Sequence, residues 1–215
     1  MQTVIRKTLK DTMLHNGIPV FVYQISYPFF YSICSESYRT VNDYYYNMAK
    51  HREEYCRTIL YAQTLENVKY IQDNHRPFNS YSFTMDYQVT YNAGCITSLY
   101  IDTYTYMGGA HGETKRESDT WDFNTGAQII LNDIFPLNQA SLSKLQLTIE
   151  EQISERLQVL PGSYFDNFSS LLQKSFRPEN YYLKPNGVVI FFQQYDIAPY
   201  STGIPEFFIP LHLGS

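Results

Sequence analysis

The sequence predicts an α+β fold, an antiparallel meander sheet with packed helices that is preceded by an N-terminal strand pair and a long helix. Three observations predict it. Tyr81, Phe83, Met85, Tyr87, Val89 and Tyr91 alternate with Ser82, Thr84, Asp86, Gln88 and Thr90, the two-residue period of a half-buried strand. From Ser37 to Ile71 there is neither Gly nor Pro, and Val41, Tyr45, Met48, Tyr55, Ile59 and Ala62 recur at helical spacing with an interruption at Arg52. Turn residues then divide the second half into short strands around two further helical stretches.

Taken in order, Ile18 to Tyr27 is a strand rich in Val, Ile and Tyr, opened by Asn16-Gly17, closed by Pro28 and paired with Thr3 to Leu9. The long helix follows, broken near its middle, with Lys50, Glu53, Glu54, Arg57 and Glu66 on its solvated face. Asn92-Ala93-Gly94 turns the Tyr81 strand into a second, Ile96 to Met107. The glycine-rich break Gly108 to Gly112 leads to a third strand, Lys115 to Phe123, and Asn124-Thr125-Gly126 to a fourth, Ala127 to Leu131. Pro136 and a cap at Asn138 open a helix with Leu142, Leu145, Ile149, Ile153 and Leu157 on one face, stopped by Pro161-Gly162. A shorter helix, Phe165 to Ser175, precedes strands Tyr181 to Lys184, Val188 to Gln194 and Glu206 to Pro210, with Asn186-Gly187 as a hairpin signal. The best boundary separates a lobe of residues 1–76, holding the strand pair and long helix, from a lobe of 77–215, the two forming one compact unit.

Composition narrows function. Hydrophobic residues at 44% and charged residues at 17% describe a globular chain. A formal charge of −5 supplies no Lys/Arg stripe to displace phosphate counterions, so nucleic acid is not an expected partner. The longest apolar run, Gly187 to Phe192, is too short to span a bilayer, and Met1 to Asp11 lacks a signal-peptide core, which reads as a soluble, unexported chain. Cys34, Cys56 and Cys95 contain no CxxC pair, so no zinc site is expected; at most one bridge can form, so at least one free thiol is expected, with three favoured. No metal and no cofactor is indicated.

Two segments could carry function. In Tyr106-Met107-Gly108-Gly109-Ala110-His111-Gly112-Glu113 the glycines allow sharp bends and close approach, without the order of strand, glycines and helix that a phosphate loop needs. His111 there is either a base or a brace for its own loop. In Tyr195-Asp196-Ile197-Ala198-Pro199-Tyr200-Ser201-Thr202-Gly203 the proline and glycine stiffen a path that presents Tyr195, Tyr200 and Asp196. Pro199 and Tyr200 either form a recognition loop or brace the last strands.

These segments, with Trp121 to Gly126, Leu131 to Pro136 and Asn186 to Phe192, resemble a bacterial domain family first described as paired domains of unknown function. That family forms the extracytoplasmic lysozyme-receptor part of a transmembrane anti-sigma factor of the sigma-V type, and also occurs beside polysaccharide deacetylase domains acting on peptidoglycan. The resemblance spans about residues 18 to 210 and is most specific at Gly108 to Gly112 and Ile197 to Tyr200. Neither the receptor's membrane helix nor the deacetylases' metal-dependent catalytic domain is found in this sequence. The resemblance therefore implies an extracytoplasmic, non-catalytic binding or sensing module, with a lysozyme-like protein or a cell-wall glycan as partner and Gly108, Gly109, His111, Pro199 and Tyr200 as ligand-binding residues. The alternative is a hydrolase or deacetylase-like enzyme using His111 with Asp196, Glu113 or Asp102.

Overall fold

A computed structural model describes residues 1–73 and 79–211. It is a mixed α+β structure with one six-stranded sheet, ordered β1-β2-β3-β4-β5-β6, and one three-stranded sheet, ordered β7-β8-β9. The strands are β1 (Thr3–His15), β2 (Ile18–Tyr31), β3 (Tyr81–Ala93), β4 (Ile96–Tyr106), β5 (Glu113–Asp122), β6 (Ala127–Gln128), β7 (Tyr181–Lys184), β8 (Gly187–Phe191) and β9 (Glu206–Pro210). The helices are α1 (Tyr38–Tyr55), α2 (Tyr61–Asp73), α3 (Leu131–Ile134), α4 (Gln139–Val159) and α5 (Phe168–Ser175). By contacts the described residues gather into two compact units, one of Gln2–Tyr87 with Ile101–Glu113, the other built mainly of Gln88–Tyr100 and the chain from Thr114 on.

In the first unit the β1–β2 hairpin turns on Asn16 and Gly17, both at positive φ, the conformation a two-residue hairpin loop demands. A register shift between Met13 and Leu14 leaves Val20 as an extra residue, which is why Val20 and Phe21 are both buried although neighbours in a strand. β2 does not stop at Pro28 as its sequence suggests, but runs on to Tyr31. It pairs with β1 throughout, yet with β3 only from Phe21 to Ile25, in parallel. Pro19 and Pro28 flank that doubly paired stretch, so each nitrogen without a hydrogen can face the side that has no partner strand. Beyond it Asn42, buried on α1, serves Phe30 as a strand neighbour would: its Oδ1 accepts from the Phe30 N–H (2.7 Å) and its Nδ2 donates to the Phe30 carbonyl (2.9 Å).

The long helix does not break near Arg52. It passes through a π-helical turn, Cys56–Leu60, between α1 and α2. The residues buried against β2 are Val41, Tyr45 and Ala49, then Cys56, Leu60, Thr64 and Val68. A four-residue repeat overshoots a 3.6-residue turn by about 40° at each step, and a wider turn sets the phase back. The Thr64 hydroxyl donates to the Leu60 carbonyl at the end of that turn (2.7 Å).

In the second unit Asn138 caps α4 as its sequence suggests, its side chain accepting from the Ser141 N–H (3.0 Å). The strand expected over Ala127 to Leu131 ends at Gln128, because the Asp133 carboxylate accepts from the Ile130 N–H (3.1 Å) and starts α3 instead. α5 begins at Phe168 rather than Phe165, whose N–H donates to the Ile197 carbonyl (3.1 Å). The β7–β8 turn is Pro185-Asn186, with Asn186 at φ +66°. Gly187 is needed for packing: a Cβ there would lie 2.5 Å from the Phe208 ring. The core joins Leu145, Ile149 and Ile153 of α4 and Leu172 of α5 to Val188, Ile190, Phe192 and Phe207. Arg116 is buried beside a separate cluster of Tyr182, Val189 and Phe191, paired with Glu206 and lying 3.7 Å over the Tyr100 ring, while the Tyr182 hydroxyl donates to the other Glu206 oxygen (2.9 Å).

The expectation of three free thiols is overturned. Cys34 and Cys95 are disulfide-bonded, and Cys56 is free and buried. The sequence offered no sign of this, because neither residue sits in a cysteine motif.

Candidate functional site

The two segments singled out from the sequence fall in different compact units and are described separately. In the first, Gly108 and Gly109 adopt φ of +94° and +86°, the left-handed region that only glycine enters without cost. Tyr106 lies edge-on to Tyr81 and its hydroxyl donates to the Gly109 carbonyl (3.2 Å). Gly112 donates its N–H to the Tyr104 hydroxyl (3.1 Å), and a Cβ at Gly112 would stand 2.4 Å from the Thr105 carbonyl oxygen. The glycines at 108 and 112 are thus demanded by packing against tyrosines of the same unit. Exposed His111 holds its Nδ1 3.0 Å from the carbonyl of neighbouring Gly112, a contact that braces the loop.

The second segment is held from several sides within its unit. Ile197 and Ala198 are buried, and the Thr202 hydroxyl donates to the Ser163 carbonyl (2.6 Å). Asp196 accepts from the Gln193 N–H (2.9 Å), closing a local turn, and burial raises its carboxyl above the ordinary range. The side chains of Gln193 and Gln194 extend this bracing to β5. Gln193 accepts from the Arg116 N–H (2.9 Å) and donates to the Arg116 carbonyl (2.7 Å), and Gln194 accepts from the Thr114 N–H (2.7 Å). After Pro199 a 3-10 turn, Tyr200–Thr202, carries Tyr200, which is partly exposed.

Between these braces stands Tyr195, with φ +67° and 54% exposure. A bulky residue at positive φ is strained, at about 1–3 kcal/mol, and persists only when its surroundings impose it. Its ring lies 6.1 Å from that of Tyr200, tilted by 34°. Two tyrosines thus form an outward-facing pair on a fixed loop. Sequence reading placed Tyr195 in this loop but gave no sign that its backbone is left-handed, since no Gly or Asn marks the position.

A further feature was hidden in the long helix. Tyr44, Asn47, Met48, His51, Arg52 and Tyr55 recur at three- and four-residue steps along α1 and line a concavity of about 520 Å³ beside its sheet-facing side. Among the described residues no three metal-ligating side chains gather, and no helix is long and apolar enough to cross a membrane.

Known proteins resemble the chain in two regions. Residues 16–114 match the family model described as Deacetylase PdaC, and residues 132–212 that described as Protein of unknown function (DUF3298). The peptidoglycan-N-acetylmuramic acid deacetylase PdaC of Bacillus subtilis (strain 168) is 24% identical over 119 residues, a match covering 53% of this chain and 24% of that enzyme. The chain therefore spans about a quarter of that relative's length. A DUF3298 family member from Bacteroides fragilis shares the fold with a TM-score of 0.71 at 18% identity, over 97% of this chain and 90% of that one. Another from Pseudomonas aeruginosa PAO1 gives 0.57 at 18% identity, over 97% and 91%. The chain thus carries a region similar to PdaC followed by a region similar to DUF3298, on a fold shared with solved DUF3298 proteins.

Proposed function

We propose that this chain is a non-catalytic binding module of the bacterial cell envelope, in which Tyr195 and Tyr200 form the recognition surface. Strained, exposed Tyr195 beside partly exposed Tyr200 on a braced loop carries this reading. A rigid pair loses little entropy on binding, and tyrosine rings offer large contact area. Pro199 holds Tyr200 in place, and the Gly108, Gly109 and His111 loop is a second contact element in its own unit. The disulfide-bonded Cys34 and Cys95 support a location outside the cytoplasm, where such bonds persist. The ligand is a basic protein of the lysozyme type, favoured in its approach by the net charge of −5, or a wall glycan, to which a tyrosine pair is also suited.

Calorimetry of the chain against a basic lysozyme and against soluble peptidoglycan fragments tests the reading. Binding to one of them, weakened about thirtyfold by Tyr195→Ala or Tyr200→Ala in a folded variant, is the expected result for aromatic anchors. Absence of heat with both ligands overturns it.

A further inference from the structure

We infer that the groove between α4 and α5 binds the acetamido group of an N-acetylated amino sugar. The inference deepens the reading above, rests on the chain being an envelope-binding module, and gives the ligand chemistry of a site separate from the tyrosine pair. The groove encloses about 240 Å³. That is below the roughly 300–1,000 Å³ of pockets that swallow drug-sized ligands, so it admits one substituent and not a whole oligosaccharide.

Its floor is apolar: Leu145, Ile149, Leu172 and Phe192 are all at most 4% exposed. Its rim is amide and hydroxyl, from Gln139, Ser143, Gln146 and Gln173. The Gln146 Nε2 donates to Glu150 (3.0 Å) and lies 3.5 Å from the Ser169 carbonyl, while its Oε1 accepts from the Gln173 Nε2 (3.1 Å). An amide oxygen has two lone pairs and an amide nitrogen two hydrogens, so the Gln146 Oε1 retains an acceptor site and the Gln173 Nε2 a donor. One and two turns towards the start of α4, exposed Ser143 and Gln139 add donors.

A trans secondary amide directs its N–H and its carbonyl to opposite sides and needs an acceptor and a donor set apart. Ser143 and Gln146, three residues apart, are separated by about 4.5 Å of helix rise, which straddles such a group. Its methyl then meets the apolar floor, where burial is favourable.

Charge decides between the acetylated sugar and its deacetylated form. No residue lining the groove is charged; the carboxylate of Glu150 stands outside the lining and accepts from Gln146 and from the Ser169 hydroxyl through its Oε1. A neutral lining over an apolar floor accepts an acetamide in full, whereas an ammonium would lose hydration against that floor with no charged group in the lining to offset the loss. The site would thus read the acetylation state of a glycan, the property that a relative named as a peptidoglycan-N-acetylmuramic acid deacetylase alters.

The test is a titration of the isotopically labelled whole chain, following the side-chain amide signals of Gln139, Gln146 and Gln173 and the methyls of Leu145 and Ile149 by NMR. The N-acetylglucosamine trimer is expected to shift them saturably, and the glucosamine trimer is not. Ser143→Trp, which fills the groove from an exposed position, and Gln146→Leu are each expected to weaken the effect about tenfold or more, the scale of one lost hydrogen bond. No shift with the acetylated trimer, equal shifts with both trimers, or the same shifts with N-acetylalanine methylamide would each overturn the proposal. A Tyr195→Ala chain that still responds at α4 and α5 separates this site from the tyrosine pair, so either proposal can fail without the other.

Discussion

Gly112 shows how a residue that looks functional in sequence can be structural. Its neighbours suggested a loop opened for a ligand, yet a Cβ there would overlap the Thr105 carbonyl and the Tyr104 ring. Gly112→Ala is expected to destabilise the chain by about 1–3 kcal/mol in urea denaturation, the usual cost of forcing extra volume into filled space. Gly109→Ala meets no atom within 4 Å and is expected to cost only the left-handed penalty, about 1–2 kcal/mol. Equal losses at the two positions would contradict the packing account. Local sequence revealed the glycine cluster because glycine is conspicuous. It could not reveal the left-handed Tyr195, or Arg116 buried between Glu206 and Tyr100, because remote parts of the chain impose both.

At the scale of elements, most strands and helices were legible because their periods are regular: the alternation of β3, the apolar face of α4 and the Asn138 cap all correspond to structure. What could not be read was pairing. The parallel junction of β2 with β3 and the phase correction at Cys56–Leu60 arise from packing the helix on the sheet. That junction holds a polar cluster with a testable pH response. The Tyr23 hydroxyl donates to Glu53 (2.8 Å), while Lys50 and Arg57 also pair with that carboxylate. Burial, then the bond to Glu53, pushes the Tyr23 phenol up to about 12 from an ordinary value near 10. A raised phenol stabilises the fold fully below its unfolded value, and that contribution is lost as pH rises from about 10 to 12. Denaturation midpoints are therefore expected to fall across this window, and Tyr23→Phe to flatten the decline. An unchanged slope in the variant would show that Tyr23 is not its source.

On the scale of the whole molecule, Cys34 and Cys95 are disulfide-bonded, and a disulfide stabilises a fold mainly by restraining the unfolded chain. Reduction is expected to lower stability by about 2–4 kcal/mol, measured as a shift of the urea midpoint with and without reductant. No shift would show that the disulfide adds nothing to stability. The thiol that remains has a different use. Burial pushes Cys56 up to about 12, and it sits inside the π-helical turn against the sheet. A thiol reagent in excess therefore finds no reactive group on the closed protein and modifies Cys56 only when the surrounding helix opens. The rate at which the unaltered chain consumes such a reagent is a clock for that opening, built into the native sequence at the point where the helix changes its winding.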